Sequence, residues 1–473
     1  MPLIKQGKIG FYFFLLYGIL LNWIIFSLNM KSAAINLTQI RVFSNYFSDW
    51  VYRCFLILLG FILLFLIVLV KSKTAVEFWA DPLVLIYTVF VTTFELSRVV
   101  GAIFYKHTLK STIHINHNAI SKYEPTVTFI IPCKNEEKSI AKTINKCFYA
   151  EYPKDKIEVI VINDGSTDGT IEVLNSLKKT YPNLIIINWR INRGKRHGMA
   201  AGFSRAKGEI IVQLDSDSYI EPKSVKKLIE PFSNPEIGAV CAHADPANAD
   251  DNFLTKMQAA YYFMSFRILK AAESTFLTVF CCSGCSSAYR RDIILPIIKT
   301  WVNEKFLGLP VTWGDDRALT NWVLRLGYRT IYTNEAQAYT ICPNTFKKLL
   351  KQQVRWKKGW FVNSMFASRF IYKKQPFVAF TYFFPLIFIT IITPFMATKA
   401  LVYNPLVRGI SPLYYIFGVF LVASIITVYY RYASRDNKYW PYVFAWSAIN
   451  MVVLSFILFY SLATIQNRKW GTR

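Results

Sequence analysis

The feature that most restricts this chain is where its apolar residues lie. They gather in long blocks at the two ends and leave a mixed, charged segment between them. Three blocks precede that segment, at residues 10–30, 54–70 and 82–104, and three follow it, at 376–403, 411–431 and 440–465. A helix needs about 20 apolar residues to cross a bilayer. Hydrophobic residues make up 53% of the 473 positions and aromatics 16%, high for a soluble protein. Their segregation to the ends decides for membrane spans over a soluble core. The first block is too long for a signal peptide and shows no small-residue cleavage site, so it reads as a retained span. The third carries Glu95 and Arg98; it either spans, with those two paired inside the bundle, or lies in the interface.

The formal net charge is +26. Lys and Arg collect on cytoplasmic loops and near anionic lipid, and part of the excess attracts anionic ligands. No nucleic-acid-binding module is present, which excludes nucleic acid as a partner. Cys282 and Cys285 form a lone C-x-x-C without two further ligands at a zinc spacing, so reduced thiols are expected.

The central segment alternates strands and helices. Strands are expected at 126–132, 158–163, 184–189 and 209–214, with helices at 139–148 and 170–179. This pattern predicts an α/β domain with a doubly wound, mostly parallel sheet, in which ligands bind beyond the carboxyl ends of the strands. Asp164 and Asp215 both fall at such ends. The expected organisation is a membrane region at 1–105, the α/β domain at 106–345, amphipathic interface helices at 346–375, and a second membrane region with its tail at 376–473. Pro385 and Pro394 suit a hairpin or re-entrant piece within 376–403.

Five stretches carry chemistry. Asp164-Gly165-Ser166 offers a carboxylate to a base or ribose, or else a loop and helix cap. Asp215-Ser216-Asp217 places two carboxylates at i and i+2, on one side of an extended chain; they suit a hard divalent cation holding a diphosphate, or form a solvated acidic turn. Arg193-Gly194-Lys195-Arg196 combines glycine and cations that can meet phosphates, or is a basic surface loop. Gly314-Asp315-Asp316-Arg317 supplies a general base or a helix N-cap. Gln352, Arg355 and Trp356 share one face of an amphipathic helix pattern at 346–370, which suits a diphosphate and a sugar ring as well as a lipid interface.

Together with Cys281-Cys282-Ser283-Gly284, Ser287-Ala288-Tyr289-Arg290-Arg291, Phe306-Leu307-Gly308-Leu309-Pro310, Gln352-Gln353-Val354-Arg355-Trp356 and the terminal Trp470-Gly471-Thr472-Arg473, these stretches resemble the processive family 2 glycosyltransferases, and within them the membrane-integrated hyaluronan synthases. The resemblance covers about 126–360. It implies a nucleotide-sugar transferase using UDP-GlcNAc and UDP-glucuronate with Mg or Mn. Asp164, Lys195, Arg196, Asp215, Gln352 and Arg355 would hold the donor, and Asp217 with Asp215 the metal. Asp316 would be the base. Cys282, Ser283, Gly284, Asp315 and Trp356 would meet the acceptor, with Trp470 and Arg473 in a tail near the site. It further implies a growing polysaccharide passed through a lipid membrane, with a cytoplasmic catalytic domain in a multi-pass plasma-membrane protein. The family often has Pro after Ser-Gly where Cys285 stands. A chitin-type or other capsular polysaccharide synthase would share nearly every motif, a lipid-linked single-sugar transferase would share the aspartates, and a non-catalytic transporter would need neither.

Overall fold

The computed structural model describes residues 37–78, 82–113 and 123–467. The chain divides into two compact units, Met1–Leu58 and Leu59–Arg473. Among the described residues the first holds only the front of one long helix, α1 (Leu37–Phe78). The expected span at 10–30 and the tail residues Trp470 and Arg473 lie outside the described residues.

In the second unit, helix α2 (Pro82–Ile113) leads into the α/β domain. Its elements are β1 (Val127–Cys133), α3 (Ile140–Phe148), β2 (Ile157–Asp164), α4 (Thr170–Thr180), β3 (Leu184–Trp189), α5 (Lys195–Arg205), β4 (Ile210–Gln213), β5 (Ser218–Ile220), α6 (Ser224–Ile229) and β6 (Ile237–Pro246). Then come α7 (Phe253–Phe263), prolonged by a π-turn at Met264–Lys270 and by Ala271–Thr275, and β7 (Ser287–Arg290). After these follow α8 (Arg291–Val302), the small ribbon β8 (Lys305–Phe306) and β9 (Leu309–Pro310), α9 (Asp315–Arg325), β10 (Arg329–Thr340) and α10 (Phe346–Ser368). Every residue of β1 is buried, as expected for a strand covered by helices on both faces.

Eight strands form one sheet in the order β3-β2-β1-β4-β7-β6-β10-β5. The β3-β2-β1-β4 half is parallel, as the sequence leads one to expect. The other half is mixed: β7 runs antiparallel to both β4 and β6, β10 is parallel to β6, and β5 is antiparallel to β10. Strand order reverses at β1, so a crevice opens beyond the carboxyl ends of β1 and β4. Asp215 follows β4 directly into it.

Among the described residues, four helical segments are long and apolar enough to cross a membrane: Phe47–Val70, Pro82–Lys106, Pro376–Arg408 (α11) and Leu413–Ala433 (α12). A fifth candidate is the bent pair α13 (Tyr442–Leu454) and α14 (Ile457–Ala463), which meet at 40°. The protein is a membrane protein on this evidence of length and apolarity. The hairpin expected within 376–403 is not formed. α11 runs on through Pro385 and Pro394, with π-turns at Ala379–Phe383 and Lys399–Tyr403 on either side of the stretch Phe384–Thr398; such turns absorb the backbone mismatch near a proline. The break falls later, between α13 and α14. Glu95 and Arg98 do not form an ion pair either. Arg98 instead bonds Ser97 and lies over the rings of Phe94 and Tyr382, at 4.8 and 4.5 Å.

Two contacts lock the membrane helices to the domain. α2 lies close against Ala271–Thr275, where a Cβ on Gly101 would come within 3.0 Å of the Ala272 Cβ, and Tyr105 donates to the Tyr332 carbonyl at 3.0 Å. At the other end, Lys358 of α10 donates to the carbonyls of Thr464 and Asn467, at 2.6 and 3.0 Å, just beyond α14. The last described residues therefore return to α10.

The seat of α5 on the sheet is tight. A Cβ on Gly202 would meet Ile130 Cγ2 at 2.6 Å and Ile162 Cδ1 at 2.9 Å. Gly202→Ala is expected to lose about 1–3 kcal/mol through overpacking, more than the gain of roughly 1 kcal/mol in helix propensity. The thermal unfolding midpoint of purified protein should fall; a rise would contradict this packing.

Candidate active site

A cleft of about 340 Å³ opens at the carboxyl ends of the strands. Its walls include the turn after β4, the loop before β7, the start of α9 and one face of α10. Lys195, Asp215, Asp217, Ser283, Gly284, Asp315, Asp316, Gln352, Arg355 and Trp356 all line it. The structure thus brings together most of the residues singled out from sequence.

The backbone of Gly284 joins two of these parts. Its carbonyl accepts the Asp215 N–H at 2.9 Å, and its N–H donates to Asp316 Oδ2 at 3.2 Å. The other Asp316 oxygen accepts the Arg317 N–H at 2.8 Å, and the Cys281 thiol lies 3.6 Å from Oδ2. Burial, reinforced by the nearby Asp316 charge, pushes that thiol up to about 12, so it stays protonated and donates. Asp316 sits in the first turn of α9, at the positive end of the helix dipole.

Charges in the cleft are largely paired. Lys195 forms an ion pair with Asp215. Burial opposes the lysine charge, yet Asp215, Asp315 and Asp316 outweigh it and hold Lys195 above its ordinary value. Arg355 is pulled below its ordinary value by burial, against the fields of Asp215, Asp316, Asp315 and Asp217; its guanidinium faces all four carboxylates. Burial and then repulsion from Asp215 push the Asp217 carboxyl up to about 6. Among the described residues there is no group of three His, Cys, Asp or Glu that could hold a metal alone. The Asp215–Asp217 donor set nonetheless suits a hard cation that also takes oxygens from a ligand and water.

Three expected residues have other placements. Arg196 is buried and does not line the cleft, which corrects its assignment to the donor. Its Nε bonds Asp315 Oδ1 at 3.0 Å, and its Nη1 bonds Glu304 Oε2 at 3.0 Å and the Trp301 carbonyl at 2.9 Å. Arg196 therefore fixes α5 to the start of α9. A buried guanidinium needs such carboxylates, and β-strand neighbours could not supply them. Cys282 is buried in the core, with its N–H on Thr320 Oγ1 at 2.9 Å, so its side chain does not reach the acceptor side of the cleft. Asp164, at the end of β2, accepts the N–H groups of Arg193 and Gly194, at 2.6 and 2.9 Å, and so shapes the loop that leads to Lys195.

Sequence reasoning missed the wall made by α7 and its π-turn, with Tyr261, Ser265, Phe266 and Lys270, and the cations Arg317 and Lys357. The i, i+4 spacing of Tyr261 and Ser265 was the available signal. Tyr261 lies 6.5 Å from Trp356 and stacks on Trp446 of α13 at 4.1 Å, so an aromatic column runs from the cleft to the broken last helix.

A GT-A-type fold with paired aspartates beyond the strand ends defines a nucleotide-sugar transferase. The family model for "Glycosyl transferase family 2" matches residues 128–295. The chain is 31% identical over 355 residues to the hyaluronan synthase of Streptococcus pyogenes serotype M1, covering 73% of this chain and 83% of that one. It is 32% identical over 263 residues to an N-acetylglucosaminyltransferase of Rhizobium meliloti (strain 1021), covering 54% and 60%. Among solved structures, the mannosyltransferase PcManGT of Pyrobaculum calidifontis, in complex with GDP-Man and Mn2+, superposes with a TM-score of 0.55 at 19% identity, over 81% of this chain and 99% of that one. The chain belongs to glycosyltransferase family 2, close to the hyaluronan synthases.

α9 and α10 meet backbone to backbone. A Cβ on Gly359 would stand 3.0 Å from both N and Cα of Gly314, and backbone cannot give way. Gly359→Ala is expected to push α10, with Arg355, away from Asp316. A displacement of this size costs up to about a hundredfold in turnover. Donor-dependent nucleotide release should fall by roughly 10- to 100-fold while the protein remains monodisperse; unchanged turnover would rule out this contact as the spacer.

Proposed function

We propose that this protein is a hyaluronan synthase, which polymerises UDP-GlcNAc and UDP-glucuronate processively and passes the product across the plasma membrane from a cytoplasmic active site. The observation that carries the reading is the convergence of Asp215, Asp217, Asp316, Arg355 and Trp356 on one cleft. That cleft lies beneath an amphipathic helix leading into a membrane-crossing one, in a chain that spans 83% of a hyaluronan synthase.

In the proposed reaction Asp316 takes the proton of the acceptor hydroxyl as its oxygen attacks the anomeric carbon. The new carbon–oxygen bond forms as the bond to UDP breaks, with inversion, and UDP leaves with the electron pair. Lys195 and Arg355 offset charge on the diphosphate. Asp215 and Asp217 would hold Mg2+ or Mn2+, which would supply further neutralisation of the departing diphosphate. The raised Asp217 value supports this assignment, because burial and the neighbouring Asp215 charge both disfavour its ionised form, and a cation would offset both. Gln352 and Trp356 lie beside Arg355 on the helix face, where a ring can stack on the acceptor sugar. No covalent enzyme intermediate is needed.

The rhizobial likeness favours a second reading, a polymer made from UDP-GlcNAc alone. Omitting one donor at a time from the purified protein separates the two. The proposal expects hyaluronidase-sensitive polymer only with both donors; long chains from UDP-GlcNAc alone would establish the second reading.

Asp316→Asn is expected to lower turnover by about 10²- to 10⁴-fold while leaving UDP binding intact, measured by calorimetry beside the kinetic assay. Unaltered turnover would remove Asp316 as base.

A pH dependence follows from Asp217. Its carboxyl is raised to about 6, so below that pH it is protonated and ligates poorly. At limiting Mg2+ or Mn2+, activity should fall about tenfold per pH unit below roughly pH 6. Because the cation binds only the ionised form, saturating cation should move this limb to lower pH. A limb that does not respond to cation concentration would assign it to another group.

A further inference from the structure

The loop that carries Gly284 starts from a tight reversal. The segment Ala271–Thr275, which prolongs α7, ends where the Glu273 carbonyl accepts the N–H groups of Phe276 and Thr278, at 3.1 and 3.2 Å. Leu277 takes a left-handed conformation there, with φ of 52°. The reversal returns Phe280 to the side chain of Glu273. One carboxylate oxygen accepts the Phe280 N–H at 3.1 Å, and the other accepts the Tyr382 hydroxyl. All three residues are buried. A buried N–H needs an acceptor, and a carboxylate that takes two donors is held in one orientation.

Tyr382 belongs to α11, in the π-turn before Phe384, and α11 is long and apolar enough to cross the membrane. Its ring stacks on that of Phe280, with centroids 5.6 Å and planes 9° apart, and Phe383 packs on the same phenylalanine at 5.1 Å. Arg98 of α2 lies over Tyr382 at 4.5 Å. α2 also holds the segment that bears Glu273, where Thr275 Oγ1 donates to the Gly101 carbonyl at 2.8 Å. Two membrane helices therefore meet around this one carboxylate.

From Phe280 the chain reaches the catalytic acids within four residues. The Cys281 thiol lies 3.6 Å from Asp316 Oδ2, the Cys282 N–H bonds Thr320 of α9, and Gly284 bonds both Asp316 and Asp215. The far end of the loop is thus registered on α9 and on the turn after β4. Its near end is registered on Glu273 and, through it, on α11. Glu273 does not line the cleft, so it acts on the reaction only through its neighbours. Those neighbours also include Arg98 and Arg317, which feel its charge.

We propose that Glu273 is a positioning residue for Asp316. It ties the start of the Cys281–Gly284 loop to Tyr382, so the seat of a membrane helix sets the geometry of the base. The inference rests on the reading of Asp316 as base and deepens it. The two hydrogen bonds carry the effect, and the charge of Glu273 does not. Glutamine keeps both bonds, because its carbonyl accepts the Phe280 N–H and its amide N–H donates to the Tyr382 oxygen.

The test uses full-length protein in neutral detergent with both donors. Nucleotide release is expressed per UDP-binding site counted by calorimetry, which removes unfolded protein from the comparison. Glu273→Ala should lower kcat by about 10- to 100-fold, with each donor KM within about threefold of wild type. Glu273→Gln should restore kcat to within about threefold. Tyr382→Phe should lower kcat by about three- to tenfold, the effect of one hydrogen bond. Added to Glu273→Ala, it should cost nothing more, because the hydroxyl acts through Glu273. A loss in Glu273→Gln as large as in Glu273→Ala would assign the residue to charge balance with Arg98 and Arg317 and overturn the proposal. Raised donor KM values with unchanged kcat, or additive losses in the double variant, would overturn it too. Should Glu273→Ala yield no UDP-binding protein, Tyr382→Phe decides, and unchanged turnover there overturns the proposal. Asp316→Asn is measured in parallel. Retained turnover in that variant would defeat the base reading, whereas an inactive Asp316→Asn beside a fully active Glu273→Ala would defeat this inference alone.

Discussion

The site depends on one peptide unit. Gly284 accepts a hydrogen bond from the Asp215 N–H and donates one to the Asp316 carboxylate, so the two carboxylate-bearing segments are registered through one residue's backbone. A side chain there would crowd the site, since a Cβ would stand 3.0 and 3.1 Å from the two Asp215 oxygens. The Gly314–Gly359 contact then sets α10, with Arg355 and Trp356, against the start of α9. Backbone contacts of this kind leave little to side-chain torsion. They give the preorganisation that electrostatic catalysis needs, because the charged groups do not have to rearrange as charge develops.

Charge pairing divides the residues into supports and working groups. Arg196 satisfies Asp315 and Glu304 in the interior, and Glu304 also accepts the Trp322 indole N–H at 2.6 Å. Such a network binds α5, α8 and α9 into one body, and removing one member would leave a buried charge alone. Asp217 is the opposite case. It faces the cleft beside Asp215, its proton affinity is raised, and a cation would relieve the repulsion.

The membrane segments are built into the catalytic unit. α2 packs against the end of α7 through Gly101, and α14 packs against α10, where Ser461 bonds the Val354 carbonyl at 3.3 Å and Lys358 holds the carbonyls of Thr464 and Asn467. The aromatic column Trp356, Tyr261 and Trp446 continues this link. The helix that carries the cleft-lining Arg355 thus also touches the last, broken membrane segment. Beyond the break between α13 and α14, the last described residues lie against α10.

Much of the fold was legible from sequence because the signals are local. Continuous apolar runs such as 127–133 and 157–164 place strands, the end blocks place membrane helices, and the aspartates at strand ends mark the crevice. β5 and β7 were not legible: each is too short for a period, and β7 is held only by neighbours on both sides, β4 and β6. The motifs named the right segments, yet tertiary structure decided what each side chain does. Arg196 and Asp315 are 119 residues apart, and nothing within a few residues of Arg196 indicates that it turns inward while Lys195 turns to the cleft. Sequence by itself determined the order of elements and the chemical inventory, since hydrophobic period and turn chemistry act over a few residues. The three-dimensional packing determined which charges are neutralised and which remain available, since ionic partners are chosen by distance in space.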